Sequence, residues 1–133
     1  MKLDEMSFFR LASQRLDWLS GRQRVLAENI ANADTPDYRA KDVQSFESFL
    51  EDGAAESARQ AEAGADPSSL LGPRREVEDA ETEAAWGESF DGNNVTLEQQ
   101  TMLSSETAGQ YRLAARLYRK GYELLTVAAT GNR

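Results

Sequence analysis

The stretch of sequence that decides the fold is Asn29-Ile30-Ala31-Asn32-Ala33-Asp34-Thr35-Pro36-Asp37-Tyr38. Its two asparagines, Asn29 and Asn32, stand one helical turn apart and place amide groups on one face of an otherwise apolar seam. Pro36 has no amide hydrogen and favours an extended conformation at the residue before it, so we expect the preceding helix to end near Asp34. A polar helix end that leads into a stiff turn suits a segment that must contact a partner protein in one fixed alignment. An ordinary capped helix end that faces water is the alternative interpretation.

A long amphipathic helix is predicted upstream of this stretch, from about Ser7 to Asp34. Its apolar residues recur at alternating spacings of three and four, which is typical of a coiled-coil seam, with a polar break at Gln23. The seam consists of Phe9, Ala12, Leu16, Leu19, Gln23, Leu26, Ile30 and Ala33. A second set on roughly the opposite side repeats every seven residues and consists of Leu11, Trp18 and Val25. A helix that is apolar on two faces needs burial from both sides. Gly21, inside this helix, predicts a bend or a close contact.

A second long helix is predicted from about Thr96 to Ala129, with Asn94 or Thr96 as its N-cap. This helix also has two apolar seams. The first consists of Tyr111, Ala114, Tyr118, Gly121, Leu125 and Ala128. The second consists of Leu113, Leu117, Lys120, Leu124 and Val127. Gly109 and Gly121 lack side chains and therefore permit close approach of a neighbour.

The segment between the two helices is predicted to be largely irregular. Residues 38–50 carry isolated apolar side chains and are expected to pack back on the helices as a short helical or irregular piece. Residues 51–89 are rich in small and acidic residues and contain Pro67 and Pro73. Their apolar area offsets little of an ordering cost of about 1–2 kcal/mol per residue, so we expect flexibility, with at most a short helix within 51–63. Asp91-Gly92-Asn93-Asn94 predicts a turn.

Composition excludes several kinds of site. The chain has 133 residues, no cysteine and no histidine, so disulfides, thiolate metal sites and the commonest general base are all missing. The turn at 91–94 does not fit a calcium loop, because Val95, Thr96 and Met102 stand where that loop needs a ligand, a glycine and a glutamate. The acidic residues at 76–83 lie in a solvated stretch and do not resemble a catalytic pair. We therefore expect no enzyme activity, no cofactor and no metal.

Charge is distributed unevenly along the chain, which carries a net charge of −8. Residues 51–106 contain 3 bases and 14 acids, whereas residues 107–133 contain 5 bases and 1 acid. The acidic block argues against nucleic-acid binding. The pattern either permits electrostatic steering between copies of the chain or simply keeps a linker solvated. Neither a secretory signal nor a membrane span is predicted, so we expect a chain that is cytoplasmic or is exported without signal cleavage.

Motifs at both ends of the chain resemble those of one family. The stretch 31–38 looks like the signature shared by axial rod, hook and hook-associated proteins. Its continuation Arg39-Ala40-Lys41-Asp42-Val43 is similar to the proximal-rod branch, and so are Asp91-Gly92-Asn93-Asn94-Val95 and Gln110-Tyr111-Arg112. Over roughly residues 8–50 and 90–130 the chain therefore resembles the flagellar basal-body rod proteins of the proximal type, the FlgB family. That family usually carries glycine where this chain has Asp37, which suggests a positive φ at this position.

The resemblance implies an all-α fold in which the terminal helices form an antiparallel coiled-coil hairpin. Residues 1–37 would form the N-terminal coiled-coil helix and signature, 38–95 an irregular or flexible acidic middle segment, and 96–133 the C-terminal coiled-coil helix. The implied function is that of a structural subunit of the proximal rod, which assembles helically with other rod proteins into the axial drive-shaft tube. Implied partners are copies of the chain, other rod proteins, basal-body ring and rod-adaptor proteins and the flagellar type III export apparatus. The implied location is the basal body, on the periplasmic side, after export without a cleaved signal.

The residues predicted to form subunit contacts lie in the helical seams and in the two motifs. They are Leu16, Trp18, Leu19, Leu26, Asn29, Ile30, Asn32, Thr35, Pro36, Tyr38, Asn93, Asn94, Tyr111, Leu117, Tyr118, Leu124 and Leu125. The asparagines of the signature are expected to set the register of contact at a cost in stability. The tyrosines fit the core of a single hairpin equally well. The alternative function is a soluble helical-hairpin adaptor or binding module of a secretion system, which would use the same seams and remain monomeric or dimeric.

Overall fold

A computed structural model describes residues 3–64, 77, 79–82 and 86–131 of the chain. Its elements are, in chain order, α1 (Leu3–Ala31), β1 (Lys41–Val43), α2 (Phe46–Glu62), β2 (Asp79–Glu81) and α3 (Leu97–Thr130). The described residues are mostly helical, with a long helix near each end, as the sequence predicts. The two short strands are a departure from the predicted all-α fold. None of the described helices has the length and apolar character needed to span a membrane.

Helices α1 and α3 lie against each other, and their contacts advance in opposite directions along the two helices. The contacts that mark this are the Phe9 and Tyr118 rings, 5.3 Å apart, and hydrogen bonds from Arg15 to Gln110 (2.9 Å), Gln23 to Ser104 (2.6 Å) and Asn29 to Gln100 (2.9 Å). The predicted polar break at Gln23 is thus matched by a serine hydroxyl on the other helix. Three of these four contacts are polar, so side-chain hydrogen bonds hold much of the interface in register.

The core lies on the side of α1 that carries Trp18. Trp18, Leu19, Phe49 and Val77 form one buried cluster. The indole N–H of Trp18 donates to the carbonyl oxygen of Gln44 at 2.8 Å. The Trp18 ring packs edge to face against the ring of Phe46, the first residue of α2. Residues 38–50 therefore pack back on the helices, as expected.

This packing corrects the expectation for the second apolar face of α1. Trp18 and Val25 are covered by the chain's own residues and need no second molecule. Only Leu11, the third member of that set, is exposed, at 48%. The spacing of the apolar residues identified the face correctly, but spacing does not say which segment covers it.

The described part of the middle segment contains regular structure, so the prediction of an irregular segment does not hold there. Strands β1 and β2 pair antiparallel, with Lys41 opposite Glu81 and Val43 opposite Asp79. Helix α2 has 17 residues, which makes it longer than the helix predicted within 51–63. Its first turn is stabilised by the Ser45 side chain, which accepts from the Ser48 N–H at 3.2 Å, and by burial nearby in the core. Pro67 and Pro73 lie outside the described residues.

The ends of the long helices differ slightly from the predicted ones. Helix α1 ends at Ala31 and not near Asp34, because residues 32–37 form turns before the chain straightens. Helix α3 has Thr96 as its N-cap, although the threonine side chain forms no capping bond. Asp37 has a φ of 58°, which is the positive value that glycine at this position of the family suggests. An aspartate tolerates this conformation better than most residues do.

The glycines inside α1 and α3 differ in what surrounds them, and this gives a testable contrast. A Cβ at Gly21 would lie 2.8 Å from Val77 Cβ, so the close contact expected at Gly21 is present. A Cβ at Gly109 would meet no atom within 4 Å. We expect Gly21→Ala to lower the free energy of unfolding by about 1 kcal/mol, because overpacking of about 1–3 kcal/mol exceeds the gain in helix propensity. Gly109→Ala should raise it by up to about 1 kcal/mol.

Urea unfolding of the purified chain, followed by circular dichroism, measures both changes. Each variant replaces a helical glycine with the same residue, so the two serve as controls for one another. Equal stabilisation by both substitutions would contradict the packing of Val77 on Gly21.

Candidate subunit interface

The two sequence motifs, which are more than fifty residues apart, lie against each other in the structure. The Asp37 N–H donates to the Asp91 carbonyl oxygen at 2.9 Å, and the Asn94 N–H donates to the Tyr38 carbonyl oxygen at 3.3 Å. Gly92 has a φ of 79°, and a Cβ on it would collide with the Asp37 carboxylate. The positive φ at both residues therefore lets the two turns approach closely. We call residues 29–38 and 91–95 together the joint.

Asn29 is fully buried at the centre of the joint, and each of its side-chain polar atoms makes two hydrogen bonds. Its amide nitrogen donates to the Lys41 carbonyl oxygen at 2.7 Å and to Gln100 Oε1 at 2.9 Å. Its amide oxygen accepts from the Lys41 N–H at 3.0 Å and from the Tyr38 hydroxyl at 3.3 Å. Burial raises the pKa of Tyr38 further above neutral pH, where the hydroxyl is already protonated and can donate. One side chain thus ties α1 to β1, to α3 and to the signature turn.

Asn93, from the other motif, fixes the turn that follows α1. Its amide nitrogen lies 2.8–3.0 Å from three carbonyl oxygens, those of Asn32, Ala33 and Thr35. Backbone carbonyls in a turn need hydrogen-bond donors, so an amide from elsewhere in the chain stabilises the turn after α1. The Asn93 amide oxygen accepts from the Val95 N–H at 2.7 Å, which fixes the side chain. Next to it, the Asn94 amide oxygen accepts from the Ala40 N–H.

The structure divides the predicted contact residues into three groups. Those buried within the chain are Trp18, Leu19, Leu26, Asn29, Asn93 and Asn94. Those partly covered are Leu16, Asn32, Tyr38 and Leu125. Those exposed are Ile30, Thr35, Pro36, Tyr111, Leu117, Tyr118 and Leu124. The first group acts inside the fold and presents no surface to a second molecule. The third group is accessible to one.

Asn32 does not set the register between the helices, in contrast to Asn29. Its amide nitrogen donates to the Glu28 carbonyl oxygen of its own helix at 2.8 Å, and its amide oxygen accepts from Thr35 Oγ1 at 3.1 Å. These bonds stay within the signature turn. Gln100, which completes the Asn29 network, was missed by the sequence analysis. Nothing in the spacing of α3 distinguishes Gln100 from its neighbour Gln99.

The second seam of α3 is an exposed, mostly apolar face. Leu113, Leu117, Leu124 and Val127 are 59%, 53%, 60% and 51% exposed, and Lys120 lies in the same row. We call these five residues the outer stripe. Taking a rise of about 1.5 Å per residue, the stripe is about 21 Å long. The first seam of α3 is the one that meets α1, through Tyr118 and through Gly121, which lies against the Phe8 ring.

The chemistry of the described residues is that of contact and not of coordination. Among them, no group of three or more carboxylate side chains is placed to hold a metal ion. The buried polar groups of the joint are hydrogen-bonded to one another, which fixes conformation. This arrangement can orient two helices and the turns between them, and it leaves an apolar helix face open.

The chain matches no protein-family model. It is 34% identical to the flagellar basal body rod protein FlgB of Agrobacterium fabrum strain C58 over 127 residues, which cover 92% of each protein. It is 29% identical to FlgB of Escherichia coli K12 over 126 residues, covering 85% of this chain and 84% of the relative. A match to FlgB of Borrelia hermsii is 51% identical over 51 residues, or 38% of this chain and 36% of the relative. The first relative is similar over nearly its whole length, so the chain belongs to the FlgB family of flagellar basal body rod proteins.

Proposed function

We propose that this chain assembles helically, with copies of itself and with other rod proteins, into the proximal rod of the flagellum. As a member of the FlgB family it is a structural component of the basal body rod. In the proposal, α1 and α3 form an antiparallel coiled-coil hairpin (residues 1–37 and 96–133), and residues 38–95 form an acidic segment between them. The opposed direction of the contacts between α1 and α3 supports this pairing.

The observation that carries the proposal is the outer stripe. Four large apolar side chains on one face of α3 are more than half exposed in the single chain. Burial of such a side chain contributes about 1.5–3 kcal/mol, so a second molecule that covers the stripe gains much more than scattered surface contacts would give. Several large apolar side chains exposed on one helix face are typical of a surface that associates. We propose Ile30, Tyr111, Leu117, Tyr118 and Leu124 as subunit contacts.

The interface between α1 and α3 is polar enough to open, which supports export before assembly. Arg15, Gln23 and Asn29 of α1 each donate a side-chain hydrogen bond to α3. Such a bond contributes about 0.5–1.5 kcal/mol net, less than the burial of a large apolar side chain, so these contacts hold the hairpin less firmly than an apolar seam would. A weakly held hairpin suits passage in an unfolded form through the flagellar type III apparatus. We propose that export occurs without signal cleavage and that the chain assembles on the periplasmic side, near the basal-body ring and rod-adaptor proteins.

The proposed role is purely structural, with no catalytic activity and no cofactor. A soluble adaptor would also be a helical hairpin, but family membership favours the rod. The two differ in what the outer stripe does. A rod subunit needs it covered in a polymer, whereas an adaptor would use it to dock a single partner.

The experiment compares two variants in a flagellated bacterium that lacks its own FlgB. Leu117→Gln with Leu124→Gln removes two residues of the outer stripe, and we expect motility and isolated rods to be lost. Both leucines are exposed, so the free energy of unfolding of the purified variant should change by no more than about 0.5 kcal/mol. Motility in soft agar, electron microscopy of basal bodies and urea unfolding are the measurements.

The matched control is Arg119→Gln with Thr126→Gln, which has the same seven-residue spacing on a polar face of α3. This variant should swim and build rods. Secretion of both variants is followed by immunoblot, which separates a defect in export from one in assembly. Normal rods built from the leucine double variant would overturn the proposed role of the outer stripe.

A further inference from the structure

Two exposed surfaces of the chain carry opposite charge. Helix α2 contains five acidic residues and one basic residue, Arg59. Residues 112–130 of α3 contain Arg112, Arg116, Arg119 and Lys120 against Glu123 alone. Among the described residues no acidic side chain pairs with the three arginines, whereas Lys120 Nζ lies 3.2 Å from Glu123. The row formed by Arg112, Arg116 and Lys120 runs along one edge of the outer stripe, because residues four apart share a helix face.

Helix α2 presents a face that fits an apolar helix. Its early residues Phe49 and Gly53 are buried, and nearly all of the helix beyond them is exposed. Ala54, Ala58 and Ala61 follow a spacing of four and three along this exposed part and form one narrow row. At about 100° per residue, Glu51 and Glu62 lie together on one flank of that row. Small side chains let a second helix approach closely, and the flanking acids make the face selective for a basic partner.

We propose that α2 of a second copy of this chain lies along the outer stripe of α3. The alanine row covers Leu113 and Leu117, and Glu51 and Glu62 lie toward Arg112 and Arg116. This inference rests on the proposed function, since it names the surface of the neighbouring subunit that covers the stripe. The occupant is a second copy because the chain itself carries the complementary face, and because both faces stay exposed within one chain.

The geometry of this contact leads to a polymer. The two faces are different surfaces of one molecule, so a pair of copies in contact still has one α2 and one outer stripe free. A contact between unlike surfaces continues as a ring or a helix and does not close as a two-fold dimer. Opposite charges on the two faces also speed the encounter between copies, and this effect weakens as salt is raised.

The absence of cysteine from the chain makes the contact directly testable by disulfide cross-linking. Ala58→Cys in one copy is co-expressed with Leu113→Cys or Leu117→Cys in the other, in the bacterium lacking its own FlgB, and the two copies carry different tags. Only a disulfide between different molecules joins both tags. Isolated basal bodies are oxidised, and we expect the joined species to be at least tenfold more abundant than with the control. The control pairs Ala58→Cys with Thr126→Cys, on a polar face of the same helix.

A charge exchange tests the same contact without cysteine. Arg112→Glu with Arg116→Glu should reduce swimming, and adding Glu51→Arg with Glu62→Arg in the same chain should restore it. Motile cells in which the tags are not joined, or a quadruple variant no better than the arginine variant, would overturn the inference while leaving the proposed function intact. A cysteine in the stripe that joins to a different protein would also overturn it. Failure of the unsubstituted chain to restore rods would instead contradict the proposed function.

Discussion

Replacing Asn29 with alanine is expected to lower the free energy of unfolding by about 3–5 kcal/mol, because several buried polar groups lose their partner together. The substitution removes both hydrogen bonds to the Lys41 backbone and the bonds to Gln100 and Tyr38. Gln100 is buried, so its amide oxygen would be left without water or protein to replace the lost donor. Urea unfolding of the purified chain measures the change.

The matched control is Asn32→Ala, the same substitution one helical turn later. Asn32 is partly exposed and its bonds are local, so we expect a loss of about 1 kcal/mol or less. In the bacterium lacking its own FlgB, Asn29→Ala should also reduce motility more than the control does, because the joint holds α1 and α3 in register. Equal losses of stability in the two variants would contradict the central position of Asn29.

The sequence predicted the parts of the fold that depend on local pattern. The spacing of Leu19 and Leu26 marked a face of α1 that is buried. Pro36 correctly placed the end of α1 within a few residues, and glycine at position 37 in the family indicated the positive φ that Asp37 adopts. Each of these follows from the geometry of one helix or one turn.

What the sequence did not predict depends on residues that are far apart in the chain. Trp18 was expected to need a second molecule, but the start of α2 and Val77 cover it. The spacing of the apolar residues predicted that the Trp18 side chain is buried, but it could not predict which segment of the chain covers it. Asn93 is predicted from the sequence as a turn residue and a subunit contact, and its amide also bonds to the turn after α1, 61 residues away. A side chain with donors and acceptors fits many partners, so only the tertiary structure selects one.

These two asparagines explain how the motifs at opposite ends of the chain act together. Asn29, from the first motif, bonds to α3, and Asn93, from the second, bonds to the turn that follows α1. Each motif therefore supplies a hydrogen-bond partner to the part of the chain that contains the other motif or the helix next to it. The apolar contacts between α1 and α3 fix the approach of the helices, and the joint fixes their relative register and the direction in which the chain leaves α1.

The substitution Asn93→Asp tests the second half of this arrangement with almost no change in shape. A carboxylate cannot donate, so it would face three carbonyl oxygens at the negative end of α1, where a negative charge is unfavourable. We expect the free energy of unfolding at pH 7 to fall by about 3–4 kcal/mol relative to the unsubstituted chain, from the lost donor and the added repulsion.

The loss of unfolding free energy in Asn93→Asp should grow as the pH rises from about 4 to 7. The folded surroundings favour the protonated carboxyl, so its pKa should be raised in the folded state above the usual value of about 3.9. A group of this kind stabilises the fold below its unfolded pKa, and that contribution disappears as the pH rises through the folded pKa. The difference from the unsubstituted chain should therefore be smallest below about pH 4 and should grow toward neutral pH.

Asn94→Asp is the control for this prediction, since it places the same charge one residue later. The Asn94 side chain accepts from the Ala40 N–H, and a carboxylate still accepts. We expect its cost at pH 7 to be smaller than that of Asn93→Asp, because both variants bury a carboxylate but only Asn93→Asp also removes a donor from carbonyl oxygens. Urea unfolding measures the free energy of unfolding of both variants at pH 4 and at pH 7. If the two variants lose the same stability at pH 7, the amide of Asn93 is not what holds the turn after α1.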